Sequence, residues 1–68
     1  MNKIKINTEF IKLDQFLKWI GIAENGVMAK EIILSGEVKV NEEEERRRGK
    51  KLYPGDVIFV FGKEYTVE

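Results

Sequence analysis

The pattern of apolar and polar positions divides the chain into short strands around two helices. The alternation over residues 3–7 predicts a strand with Ile4 and Ile6 on one face. A helix is predicted next, because apolar residues recur three and four positions apart and form one stripe: Leu13, Phe16, Leu17 and Ile20. Gly21 comes directly after this stripe, where helices commonly end.

A second helix is predicted over residues 27–34, after a connection whose turn is Asn25-Gly26. Apolar residues occupy most of its circumference, so we expect it to be buried on more than one side. Ser35-Gly36 should end this helix. Because few residues separate the two helices, they should lie side by side.

After Gly36 apolar residues recur at every second position, so Val38 and Val40 should point to the same face of a strand. The pattern also allows a strand around Arg46–Arg48. Gly36 and Asn41 are expected to have conformational roles. Gly36 should end a helix, and Asn41 should form a turn with a positive φ.

The last third of the chain predicts a turn and a hairpin. Pro54-Gly55 suits the central positions of a type II turn. The apolar run at residues 57–61 should pair with residues 65–67 through a tight turn at Gly62-Lys63. The expected fold class is therefore α+β, with a two-helix hairpin packed on a small, mostly antiparallel sheet.

Length and composition narrow the possible functions. Sixty-eight residues predict one small domain, and the absence of cysteine and histidine leaves no disulfide and no ordinary zinc site. We expect no metal and no cofactor. No signal peptide and no membrane-spanning run is visible, so the expected location is the cytoplasm, without membrane association.

Catalysis is not expected. Histidine and cysteine, the usual general base and thiol nucleophile, are missing, and no glycine-rich phosphate loop is present. The four consecutive glutamates at residues 42–45 are more typical of a solvated segment than of tuned catalytic acids. We therefore expect a protein that is not an enzyme and has no small-molecule substrate.

The strongest signal for function is a basic cluster in a chain whose net charge is zero. Arginine's planar guanidinium suits phosphate oxygens, and clustered cations gain affinity by releasing counterions from nucleic acid. A solvated loop is the alternative, and from the residues alone both readings stay open. The cluster occupies residues 46–51 and consists of Arg46, Arg47, Arg48, Lys50 and Lys51.

Residues outside this cluster extend the nucleic-acid hypothesis. Lys12, Lys18 and Lys30 add cations on the predicted helices, and Gly49 could let the backbone approach a phosphate. Trp19 lies near Lys12 on a helical wheel, where it could stack on a base or simply cover the core.

The glutamates at residues 42–45 have three possible roles. They could repel nucleic acid from one side, pair with the arginines when no ligand is bound, or form a solvated turn between strands.

An ordered set of residues resembles the RNA-binding domain named after small-subunit ribosomal protein S-four, also called the alpha-L motif. The resemblance covers about residues 10–61. Its matches are Lys12-Leu13-Asp14, Leu17, Gly21, Ala29, Ile33, Gly36, Val38, Val40-Asn41 and Gly55-Asp56. The segment RRRGKKLYPGD is similar to the small stand-alone YaaA-like members of that family.

The resemblance implies two helices on a small curved sheet and binding of structured RNA, often ribosomal, through the helical pair and the basic loop. Three positions depart from the family pattern. Lys12 stands where the family has arginine, Asn25-Gly26 replaces a Ser-Arg pair, and Asn41-Glu42 replaces Asn-Gly. The second departure removes one phosphate contact, for which Lys30 could substitute.

These observations favour a monomeric, non-catalytic RNA-binding protein whose partner is structured RNA, such as ribosomal RNA or a ribosomal subunit. The expected RNA-binding residues are Arg46, Arg47, Arg48, Lys50, Lys51, Lys12 and Lys30. If about five phosphates are neutralised, log affinity should fall with log salt at a slope of roughly −3.5 to −4.5. The alternative is a small protein-protein adaptor that uses the apolar run at residues 57–61, with the charged loop serving solubility.

Overall fold

The computed structural model describes residues 2–68, in which two helices combine with seven short strands. In chain order these are β1 (Asn2–Ile4), β2 (Ile11–Lys12), α1 (Leu13–Trp19), α2 (Gly26–Leu34), β3 (Val38–Val40), β4 (Glu43–Glu44), β5 (Lys51–Leu52), β6 (Val57–Val60) and β7 (Lys63–Val67). Five strands form one sheet in the order β1-β7-β6-β3-β4, while β2 and β5 pair separately. Only β1 and β7 pair in parallel among these strands, so the predicted α+β fold with a mostly antiparallel sheet is confirmed.

The apolar stripe of α1 faces the core, as its spacing predicted. Leu13, Phe16 and Leu17 are fully buried, and Ile20 is partly buried directly after the helix. Gly21 follows with φ +81°, a left-handed conformation that glycine adopts without steric cost.

The start of α2 differs from the prediction. Asn25 is not part of a turn but the N-cap of the helix, and its side-chain oxygen accepts a hydrogen bond of 2.8 Å from the Met28 N–H. Gly26 is the first helical residue. At the other end, Ser35 caps the helix and Gly36 follows with φ +86°, as predicted.

The expectation that α2 is buried on several sides is wrong. Ala29 and Ile33 are buried, but Val27 is 70% exposed and Leu34 is 52% exposed. A domain of this size has too little surrounding structure to enclose a helix, so only one face of α2 is covered.

Alternating residues of the central strands build the other half of the core. Val38, Val40, Ile58, Val60, Tyr65 and Val67 are all buried. The residues between them form the outer face of the sheet, where Lys39, Phe59 and Glu64 are in register across β3, β6 and β7 and are exposed. Ile4 and Ile6 both pack against the core, but the strand predicted over residues 3–7 is wrong in its bounds, because β1 ends at Ile4.

One turn prediction and one strand prediction need correction. The β6–β7 turn is Phe61-Gly62, with φ +49° and +75°, rather than Gly62-Lys63, because Lys63 already pairs with Val60. No strand forms at Arg46–Arg48. The two residues Asn41-Glu42 both have positive φ and make a tight turn, so pairing with β3 resumes at once in β4.

Candidate nucleic-acid interface

The two ends of the segment from Asn41 to Asp56 are bound to each other. The Asn41 side chain donates to Asp56 Oδ1 at 3.1 Å and accepts from the Val57 N–H at 2.9 Å. Asp56 Oδ2 accepts from the Tyr53 N–H at 2.8 Å, within the turn that contains Gly55 with φ +101°. The turn-forming residues identified in the sequence therefore form one connected unit rather than two separate ones.

The middle of this segment is attached to the start of α1. The N–H groups of Leu13 and Asp14 donate to the carbonyl oxygens of Lys50 and Arg48, at 2.8 and 3.0 Å. Helix N–H groups at this position have no partner within the helix, so the segment satisfies them. These main-chain bonds hold the basic cluster at residues 46–51 against the start of α1.

Arg48 lies between the starts of the two helices. Its Nε contacts Asp14 Oδ2 at 3.4 Å, and a side chain at Gly26 would begin 3.9 Å from its Nη2. Asp14 is mostly buried and also accepts from the Gln15 N–H at 2.8 Å. Arg48 thus places a guanidinium beside the position where the resembled family has arginine and this chain has glycine.

Arg46 reaches the opposite end of α2. It forms an ion pair with Glu44, and a Cβ at Gly36 would lie 3.3 Å from its Nη2. Since ten residues of helical rise separate Gly26 from Gly36, the guanidinium groups of Arg46 and Arg48 approach positions about 15 Å apart along the helix. The basic cluster is therefore continuous in sequence, but its arginine side chains reach separate places on the surface.

Arg47 is held by Glu45 in a bidentate ion pair. Its Nε and Nη2 donate to the two carboxylate oxygens at 2.9 and 3.1 Å, and its main-chain N–H donates to the same group at 3.1 Å. These hydrogen bonds lower the pKa of Glu45 to about 2, although partial burial opposes the shift and the charge of Lys50 assists it. The same contact raises the pKa of Arg47.

The lysines differ from the arginines in having no carboxylate partner within residues 2–68. Lys12 and Lys51, called here the lysine pair, are directly opposite each other in β2 and β5. Among residues 2–68 neither forms an ion pair, and the same holds for Lys30 and Lys50. Like charges opposite each other in a sheet are unfavourable, and a bound anion would relieve this repulsion.

The sequence-predicted residues therefore fall into distinct groups. In Arg46–Arg48, called here the arginine segment, each arginine pairs with one carboxylate. Arg48, Lys50 and the lysine pair surround the start of α1. Lys30 follows Gly26 by one helical turn and is exposed.

Trp19 is exposed at the last residue of α1, whereas Lys12 precedes the helix in β2. The helical wheel that placed Lys12 near Trp19 therefore does not apply, and seven residues of helical rise put about 10 Å between the two positions.

Aromatic residues that the sequence reasoning did not select lie beside the lysine pair. Phe10 and Tyr53 contact edge to face, with ring centroids 5.8 Å apart, and the Lys51 Nζ lies 4.8 Å from the centre of the Phe10 ring. Their separation in sequence hid this contact, which depends on the pairing of β2 with β5. Asp14 was noted only as part of the family pattern, without its role as the partner of Arg48.

Neither helix in the described part of the chain has the length and apolar content needed to cross a membrane. The model of the S4 domain family matches residues 4–68. A Bacillus subtilis relative, "Probable ribosome maturation protein RlbA", is 49% identical over 61 residues, which cover 90% of this chain and 86% of that protein.

Two solved structures are similar to this fold. The solution structure of E. coli YbcJ, described as containing an alfaL motif involved in RNA-binding, has a TM-score of 0.73 and 29% identity, covering 98% of this chain and 86% of that one. The crystal structure of the 30S ribosomal protein S4e from Thermoplasma acidophilum has a TM-score of 0.66 and 22% identity, covering 88% of this chain and 32% of that one, and supports the fold alone. The chain belongs to the S4 domain family.

Proposed function

We propose that this chain is a single, non-catalytic RNA-binding domain that acts in the cytoplasm as a monomer and recognises structured ribosomal RNA. The main observation behind the proposal is that main-chain hydrogen bonds from Leu13 and Asp14 attach the basic cluster to the start of α1. Through this attachment, Arg48, Lys50 and Lys51 lie next to the start of α1, which Lys12 directly precedes, and this supports a shared binding surface. The descriptions of RlbA and YbcJ support the RNA class and the link to ribosome maturation.

Recognition would rest on shape and phosphate contacts. Among residues 2–68 no carboxylate pairs with the lysine pair or with Lys30, so these lysines can contact phosphates directly. The arginine segment must exchange Glu44, Glu45 and Asp14 for phosphate oxygens, which form strong bidentate contacts with guanidinium groups. A-form RNA offers two phosphate rows across a shallow minor groove, a surface that a small helical pair can contact.

Binding to an RNA stem-loop and to a DNA duplex of the same sequence, over a range of salt concentrations, tests the proposal. We expect the RNA to bind more tightly, with a slope of log affinity against log salt of roughly −3.5 to −4.5. Replacing Arg46, Arg47 and Arg48 with alanine should flatten the slope. Equal affinity for RNA and DNA, or an unchanged slope in the triple variant, would contradict it.

The ribosomal part of the proposal has its own test. Crosslinking in cells, followed by sequencing of the bound RNA, should recover ribosomal RNA or its precursors. Recovery of other RNA classes instead would leave RNA binding in place and overturn the ribosomal assignment.

A protein-protein adaptor is the second candidate, favoured by the exposure of Phe59 and Phe61, at 41% and 55%. Affinity capture before and after nuclease treatment separates the two. Partners that depend on RNA should disappear after treatment, whereas a partner retained by the wild type but lost in a Phe59→Ala variant would favour the adaptor.

A further inference from the structure

A cleft of about 350 Å³ lies at the lysine pair, and Lys51 is the one lining residue that the proposed phosphate contacts use. Its lining residues are Thr8, Glu9, Phe10, Lys51 and Tyr53. This volume is at the lower end of the range for ligand pockets, about 300–1,000 Å³. It combines aromatic rings with a cation, as sites for nucleobases do.

Tyr53 is the ring available for stacking in this cleft. It is 44% exposed, whereas Phe10 is partly buried and carries the Lys51 ammonium on its ring. The edge-to-face contact with Phe10 and the hydrogen bond from the Tyr53 N–H to Asp56 hold Tyr53 in place. A ring fixed in advance loses little conformational entropy when a base stacks on it.

The charges favour a nucleotide here over the cleft on the outer face of the sheet. That second cleft, about 380 Å³, is lined by Lys39 and the two glutamates Glu42 and Glu64, which would repel a phosphate. The cleft at Tyr53 contains one lysine and one glutamate, and Lys12 adds a further cation opposite Lys51.

We propose that an unpaired nucleotide next to the bound stem stacks its base on Tyr53 and places its phosphate between Lys12 and Lys51. The inference rests on the proposed RNA binding and adds to it a single-stranded subsite. It implies that the RNA partner is a stem with an unpaired flanking or bulged nucleotide, because a fully paired stem keeps its bases stacked within the helix.

The test compares a blunt RNA hairpin with the same hairpin carrying two unpaired nucleotides at either end, by fluorescence anisotropy. The wild type should bind a tailed hairpin more tightly by about 5- to 150-fold, the range for stacking of one base on an aromatic side chain. Tyr53→Ala should abolish this preference, while Tyr53→Phe should retain it. Phe59→Ala is the matched control, because Phe59 is similarly exposed on the outer sheet face.

A second measurement reports stacking directly. In a Trp19→Phe/Tyr53→Trp variant the only tryptophan lies in the cleft, and its fluorescence should be quenched by the tailed hairpin but not by the blunt one. Equal binding of both hairpins by the wild type, or a preference that survives Tyr53→Ala, would overturn the subsite while leaving RNA binding intact. Absence of binding to either hairpin would overturn the proposed function itself.

Discussion

The arginine segment and the lysine pair carry charge of the same sign in opposite settings. Each of the three arginines has a carboxylate partner, and the two lysines face each other with no ion pair among residues 2–68. A phosphate must displace Glu44 or Glu45 to reach the first two arginines, but it only relieves repulsion at the lysine pair. The most basic stretch of the sequence is therefore not the most available positive surface.

The largest effect on affinity is expected at the lysine pair. Each lost phosphate contact lowers affinity about 4- to 5-fold at 0.15 M salt, so Lys12→Ala/Lys51→Ala should weaken RNA binding about 16- to 25-fold. The salt slope should become shallower by about 1.4 to 1.8. Both values follow from anisotropy titrations at several salt concentrations.

Lys39→Ala/Lys63→Ala is the matched control, since it removes the same charge from exposed positions of β3 and β7. An equal loss of affinity in this variant would mean that net charge, rather than the position of the lysine pair, controls binding.

The next effect concerns stability. Among the carboxylates that pair with the arginine segment, Asp14 belongs to α1, whereas Glu44 and Glu45 lie in and next to β4. Asp14 is mostly buried and receives both Arg48 and the Gln15 N–H. Asp14→Ala should lower the free energy of unfolding by about 1–3 kcal/mol, as for other buried groups that lose a partner. In a domain this small, thermal unfolding should shift by about 4–8 °C per kcal/mol.

Glu64→Ala provides the comparison for Asp14→Ala, because Glu64 is exposed on the outer sheet face. Similar melting temperatures for the two variants would show that the contact between Asp14 and Arg48 does not support the helical pair.

A smaller effect, of opposite sign, is expected from the glutamates that hold Arg46 and Arg47. Glu44→Gln/Glu45→Gln keeps the side-chain shapes but removes the charges that compete with phosphate. RNA affinity should rise about 2- to 5-fold, because both arginines are mostly exposed and ion pairs of exposed groups are modest in strength. Weaker binding of this variant would indicate that the glutamates orient the arginines productively rather than compete for them.

The smallest effect is a pH dependence of stability from the Glu45–Arg47 pair. The pKa of Glu45 is lowered from its ordinary 4.5 to about 2 in the folded chain, so the pair stabilises the fold above about pH 4.5. This contribution is lost as the pH falls toward 2. The wild type should melt at a higher temperature than Glu45→Gln at pH 6, and the two melting temperatures should converge near pH 2.

Glu64→Gln controls for the replacement of an exposed glutamate by glutamine. A difference between wild type and Glu45→Gln that stays constant from pH 6 to pH 2 would contradict the ion-pair explanation.

Regular structure was predictable where local periodicity determines it. The stripe containing Leu13 and Phe16 and the alternation of Val38 and Val40 are set by helix and strand geometry, and both face the core. The parallel pairing of β1 with β7 was not predictable, because it joins the two ends of the chain.

The site was predictable in composition but not in arrangement. The sequence identified the basic residues, and pairing with the glutamates was one of the three roles left open for residues 42–45. It could not show that Arg46 and Arg48 reach opposite ends of α2, since side-chain direction in an irregular segment depends on tertiary contacts. Tyr53 directly precedes the predicted turn at Pro54-Gly55, and its position beside Lys51 and Phe10 follows only from the pairing of β2 with β5.

The most direct test of the account is an NMR titration of the labelled protein with an RNA stem-loop carrying an unpaired tail. We predict that the largest amide shifts cluster at the starts of both helices and along β2 and β5, including Leu13, Asp14, Gly26 and Lys51. Shifts confined to the outer face of the sheet, around Lys39, Phe59 and Glu64, would contradict it.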